Sequence, residues 1–222
     1  MLTIDHQHTL QLNNSATPSI FTCNHCKELG NSERSFICEN RNCNHIIHIE
    51  CALADEHAVH PFFKNSHFKL CENASDGGFC DACGKDLLGY FYWCSKTNYA
   101  LHPCCLKLED TISSDGKVIM TLCNHVPSDC AICRQKHVVR NQFQGWSYIL
   151  HSEGNPCCHV SCFTNLILHI DDKNEETSSK RGMRSVMKFT GKLALGIFQA
   201  GIGDLSSIFT IGEAIVSAIS SD

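Results

Sequence analysis

A tandem array of small α+β modules, each made of short strands and a short helix, is the fold class this sequence predicts. Three observations predict it. The first is an inventory of 17 Cys and 14 His in 222 residues. The second is a Cys-x2-Cys pair followed by a His-x2-Cys pair, repeated in order along the chain: Cys23/Cys26 with His48/Cys51, Cys80/Cys83 with His102/Cys105, and Cys130/Cys133 with His159/Cys162. The third is that the apolar runs read as strands too short to build a sheet core alone. A Cys-x2-Cys loop aims two thiolates at one metal. A His-x2-Cys pair in a tight turn or first helical turn adds an imidazole and a third thiolate. Together they make a closed tetrahedral site of the structural zinc type, so Zn2+ is the expected cofactor.

The elements follow in chain order. The first module covers 6–60, with a strand expected at Phe36-Ile37-Cys38. The turn-like stretch from His60 to Ser66 separates it from the second module, 61–112, whose strand is Tyr90 to Cys94. The third module, 113–170, carries a strand from Trp146 to Leu150. At about 50 residues each, such modules sit near the size where a metal must supplement the core. Trp93, Trp146 and Tyr148 are expected to form the small core beside each metal rather than a stacking platform. Residues 171–182 are polar and charged and read as a linker.

From 183 to 219 an α-helical C-terminal tail is expected. Val186, Phe189, Leu193, Ile197, Leu205, Ile208, Ile215 and Ile219 recur at roughly helical spacing, and a bend is expected near Gly201 to Asp204. Asp204 and Glu213 interrupt the apolar run, which argues against a bilayer span. Arg181, Arg184, Lys188 and Lys192 fall near one face and would suit an anionic membrane surface. The competing reading is a helix packed on the modules or on another chain.

Composition narrows the function. A net charge of −5 gives no basic footprint, so nucleic acid is not the favoured partner. The first residues show no basic n-region and no apolar h-region, so no signal peptide is expected. The odd cysteine count and the mixing of Cys with His argue against a disulfide framework. The expected setting is intracellular, in the cytoplasm or the nucleus, not secreted. A thioredoxin-like redox site would need a βαβ pattern, which is missing. Nucleophilic catalysis would need a metal-free Cys with a base, and none is evident, so no enzyme is expected. A RING closes with a Cys-x2-Cys pair, whereas each module here closes with His-x2-Cys.

In order, His6-Gln7-His8-Thr9-Leu10, Cys51-Ala52-Leu53, Val59-His60-Pro61, Leu101-His102-Pro103-Cys104-Cys105 and Trp146-Ser147-Tyr148 resemble the divergent C1 (DC1) family of plant Cys/His-rich proteins. That family is similar to the zinc finger of protein kinase C type. The resemblance spans about 6 to 165 and implies a cross-brace zinc finger with two interleaved sites per complete module. On that pattern Cys23, Cys26, His48 and Cys51 hold one ion. His8, Cys38, Cys43 and His60 hold the other, with His60 where the kinase-type finger has its last Cys. The second module departs at Thr97, a poor ligand where Cys is expected, which leaves His67 and Cys94 short of partners. Its inner set Cys80, Cys83, His102 and Cys105 is whole. The third module keeps Cys130, Cys133, His159 and Cys162, but Lys117 stands where the outer His would be. Four zinc ions are expected, in the order two, one, one. The function expected is a non-enzymatic interaction or signalling adaptor with protein partners. The alternative is a lipid-binding module of diacylglycerol type. The sequence leaves the oligomeric state open.

Overall fold

A computed structural model describes residues 6–14, 19–74, 77–114, 117–138 and 143–168. The expected linker at 171–182 and helical tail at 183–219 lie outside the described residues. The chain divides into two compact units, Met1–Leu108 and Glu109–Asp222. What is seen in both is small strand-rich modules with few helices, in tandem.

The first module of the first unit contains β1 (Leu10–Leu12), β2 (Ile20–Thr22), β3 (Leu29–Asn31), β4 (Ser35–Cys38), β5 (Ile46–His48) and α1 (Ile49–Ala52). β1, β4 and β5 form an antiparallel sheet in that order, while β2 and β3 form a separate hairpin. The β-branched and aromatic residues Phe36, Ile37, Ile46 and Ile47 favour the pleated strands of this pairing. Phe21, Ile47 and Ala52 close around Cys23, Cys26 and Cys51 as a minimal core.

The second module contains β6 (His57–Ala58), β7 (Phe68–Cys71), β8 (Phe91–Cys94), β9 (Tyr99–Leu101) and α2 (Pro103–Leu106), with sheet order β6-β7-β8-β9. β6 pairs with β7, so His57 and Ala58 already belong to this sheet, ahead of the boundary expected after His60. Phe68, Tyr92 and Leu101 are buried together as its core. Trp93, expected in the core, is 40% exposed instead. Neighbours along a strand face opposite sides, and Tyr92 takes the inward place.

The second unit contains β10 (Thr111–Ser114), β11 (Lys117–Cys123), β12 (Ser147–Leu150), β13 (Cys157–His159) and α3 (Val160–Leu168). The strands form one antiparallel sheet, β10-β11-β12-β13. Met120 pairs with Leu150 and Leu122 with Tyr148, which puts four buried side chains on one face. Phe163 of α3 packs its ring 5.2 Å from that of Tyr148, and Trp146 is buried beside them. Tyr92 and Tyr148 each tie down the chain entering their module: their hydroxyls donate to Asp55 O at 2.7 Å and Glu109 O at 3.1 Å. Among the described residues no helix is long and apolar enough to cross a membrane.

Candidate metal centres

One local design is used three times. In each Cys-x2-Cys loop the first Cys N–H donates to the carbonyl five residues on: Cys23 to Glu28 at 2.9 Å, Cys80 to Lys85 at 2.8 Å, Cys130 to Gln135 at 2.9 Å. Its carbonyl accepts from the residue four on: Lys27, Gly84 and Arg134, at 3.0, 2.8 and 2.8 Å. That residue is left-handed each time, with φ of 66°, 74° and 60°. Glycine takes this conformation freely, whereas Lys27 and Arg134 hold it at some cost. The loop closes tightly enough to aim both sulfurs the same way.

The His-x2-Cys half is equally regular. His48 and His102 cap the starts of α1 and α2, and His159 ends β13 just before α3. Cys51, Cys105 and Cys162 are the third residues of those helices, on the first turn. Each ring turns Nε2 to a backbone carbonyl: His48 to Leu29 O at 3.2 Å, His102 to Asp86 O at 3.3 Å, His159 to Lys136 O at 3.3 Å. A carbonyl only accepts, so Nε2 keeps its proton, and Nδ1 is the nitrogen left to coordinate an ion shared with the thiolates. Gly30 makes room for this in the first module, because a Cβ there would overlap the His48 ring.

The donor spacing fits a metal. Nδ1 of His48 lies 3.3 Å from Cys26 Sγ and 3.8 Å from Cys51 Sγ. The matching pairs are 3.5 and 4.0 Å at His102 and 3.4 and 3.7 Å at His159. A tetrahedral zinc with Zn–S of about 2.3 Å and Zn–N of about 2.0 Å has S···N edges of about 3.5 Å. The structure brings together the predicted quartets Cys23/Cys26/His48/Cys51, Cys80/Cys83/His102/Cys105 and Cys130/Cys133/His159/Cys162, with donor atoms within 4.8 Å of one another. The first two quartets are wholly buried, whereas Cys133 of the third is exposed.

Without an ion these donors compete for protons. Burial alone would lower the His48 pKa, but hydrogen bonds to Cys23 and Cys26 outweigh it and lift it to about 10. His102 behaves likewise: burial lowers it, Cys80 and Cys83 raise it, and it reaches about 11. A hydrogen bond from Cys162 brings the Cys130 thiol down to about 4. A metal replaces these shared protons, so loading releases protons and weakens in acid.

A fourth quartet forms the outer centre of the first module, and here the structure corrects one residue. Its members are His6, His8, Cys38 and Cys43; His60 is not among them. β1 lies beside β4 with Leu10 opposite Cys38, which carries the His6-x-His8 segment to the end of β4. The chain bends at Gln7 and His8 ahead of β1, and both rings join the same donor group. Cys43 Sγ lies 3.5 Å from His6 Nε2, and His6 stacks on His45 at 4.1 Å. Asn40 ties the turn, donating its N–H to Cys38 Sγ at 3.4 Å and accepting from Asn42 N at 3.0 Å. His60 is out of reach because the chain leaves α1 to join the second module's sheet. There His60 Nδ1 accepts from Phe62 N at 3.2 Å and its ring meets Phe62 and Phe63. The missed signal was the His-x-His pair itself.

The same place is filled differently in the other modules. Cys94 ends β8 as Cys38 ends β4, but its partners are hydroxyls and backbone N–H groups. Burial pushes its thiol pKa up, and hydrogen bonds from Thr97 and Ser66 outweigh that and lower it. His67 is exposed and joins no donor group. In the third module Leu150 ends β12 and pairs with Met120, so aliphatic side chains stand where the first module has ligands. The spare thiols Cys157 and Cys158 are buried outside any quartet, and Cys123 pairs only with His125, at 3.0 Å.

Residues 5–52 match the family model of the C1 domain, a span that contains all eight donors of the first module's two centres and stops short of His60. No curated protein and no solved structure matches the chain.

Proposed function

Residues 5–52 being a C1-type domain, we propose that the chain is a zinc-binding, non-enzymatic array of C1-like modules that serves as an interaction or signalling adaptor. The observation that carries this is closure. Each of the four donor groups supplies four protein ligands, so a tetrahedral ion is saturated and keeps no position for water or substrate. Three sulfurs and one nitrogen suit zinc, and so do the two sulfurs and two nitrogens of the outer centre. The metal takes the part of a large core and leaves strand faces free for protein partners. Trp93, Val59 and Leu88 are exposed apolar side chains in the second module that such a partner would bury. None of the 17 cysteines is paired in a disulfide, which supports a reducing, intracellular setting in cytoplasm or nucleus.

The test is metal analysis of the full chain purified without added zinc or chelator. Four zinc ions per chain are expected, one per donor group. One or none would sink the proposal. Sedimentation with vesicles of anionic lipid and diacylglycerol separates the adaptor from the lipid-binding reading: the chain is expected to remain in the supernatant.

A further inference from the structure

The second module grips the Cys-x2-Cys loop of the first module's inner centre. Five residues of the second module converge on it. Tyr90 N donates to His25 O at 3.0 Å, and the two rings stack 4.7 Å apart. Gly89 passes so close that a Cβ there would overlap His25 O. Glu28, whose carbonyl closes the loop, pairs its Oε2 with Lys85 Nζ at 2.9 Å. Its Oε1 lies 3.7 Å from His102 Nε2, the nitrogen behind the ligand face of the second centre. Cys104, a member of neither quartet, packs against the core of Cys23, Cys26 and Cys51. It is also the chain neighbour of Cys105, a ligand of the second centre.

We infer that the inner centres of the first and second modules load and release metal as one cooperative pair, with Glu28 as a positioning residue for His102 and Cys104 as a thiol shared between them. The inference rests on the metal-binding reading above. Folding the second module around its ion fixes Gly89, Tyr90 and Lys85. Those residues then hold the first loop in its ligand geometry, so the first ion meets an ordered site. The second ion gains in return, because an ordered first loop presents Glu28 to the His102 ring. Such coupling is reciprocal by thermodynamic necessity. The Nε2 proton of His102 goes to Asp86 O, and the Glu28 charge, 3.7 Å behind the ring, adds to it by favouring the electron-rich ligand nitrogen.

The test is graded chelation of the full, zinc-loaded chain, with thiol alkylation read at each cysteine by peptide mass spectrometry. Zinc protects its ligands, so each centre reports its own release. In the native chain the sets Cys23/Cys26/Cys51 and Cys80/Cys83/Cys105 should become reactive at one chelator concentration. Cys80→Ser should then lower the concentration that frees Cys23 and Cys26 by about tenfold, whereas Cys130→Ser should leave it unchanged. Because Cys80→Ser can unfold its module, Gly89→Ala and Glu28→Gln, which keep every ligand, are the second arm. Both should still bind zinc but should separate the two release points. Release points already apart in the native chain, or unmoved by Cys80→Ser, would overturn the inference while leaving the metal reading intact. Cys23 and Cys80 reactive without any chelator would sink the metal reading itself.

Discussion

The first and third modules share the loop, the His-capped helix turn and the strand register around an inner centre, yet they complete themselves by different physics. In the first, the end of β4 carries Cys38 and gathers Cys43, His6 and His8 into a second centre. In the third, the same strand end carries Leu150 opposite Met120, and the sheet continues into a seven-residue β11 and a nine-residue α3. One module substitutes ligands for apolar area and the other substitutes apolar area for ligands. In the first module the strands of that sheet are three or four residues long and bury few large side chains, and the second donor group stands there.

The largest test of that contrast is metal removal. Apparent zinc affinity in small fingers is worth about 10–16 kcal/mol, more than a module of this size holds without it. Excess chelator is expected to abolish hydrogen-exchange protection throughout β4, β5 and α1. Partial protection should persist in β11 and β12, where Met120, Leu122, Tyr148, Leu150 and Phe163 still pack. Equal loss in both regions would break the comparison.

Single substitutions sharpen it next. Leu150→Ala should destabilise the second unit by about 2–5 kcal/mol in denaturant melts and leave the metal count unchanged. His6→Ala should lower the count by one, and His60→Ala should not. A count that falls with His60→Ala would restore the ligand set expected from the family resemblance.

The smallest effect concerns the residue after the first loop Cys. Asn24 Oδ1 accepts from Ile46 N at 2.8 Å in the first module, and Asp81 Oδ2 accepts from Ala100 N at 2.6 Å in the second. Burial lifts the Asp81 carboxyl from 3.8 to about 6, against the pull of that hydrogen bond. A raised carboxyl favours the folded state below its unfolded pKa, and that favour is gone once pH passes about 6. Asp81→Asn keeps the hydrogen bond and cannot ionise. Its stability relative to the parent should therefore rise between pH 4 and 6 and stay level above. The gain should be at most about 1 kcal/mol, because the carboxyl is partly exposed and screened. Melts across that range, with zinc retention checked at each pH, would measure it; a gain that shrinks as pH rises would contradict the assignment.

Twelve inner ligands were legible in the sequence because their chemistry is local. A Cys-x2-Cys loop closes on its own backbone hydrogen bonds, and a His-x2-Cys pair is set by one helical turn, so spacing alone specifies each half. The short strands were legible from aromatic and β-branched runs, at Ser35–Cys38, Phe91–Cys94 and Ser147–Leu150. The tertiary structure decided what depends on where the chain goes next. His60 and His6 are equally good ligands by type, and only the pairing of β1 with β4 and of β6 with β7 decides between them. Trp93 and Tyr92 are equally good core residues by type, and only the register chooses the one that turns inward. The contacts of Glu28, Gly89 and Cys104 join positions far apart in sequence, so no local spacing encodes them. Ligand identity is a property of a few neighbouring residues; which ligands meet, and which centres touch, is a property of strand pairing across the whole unit.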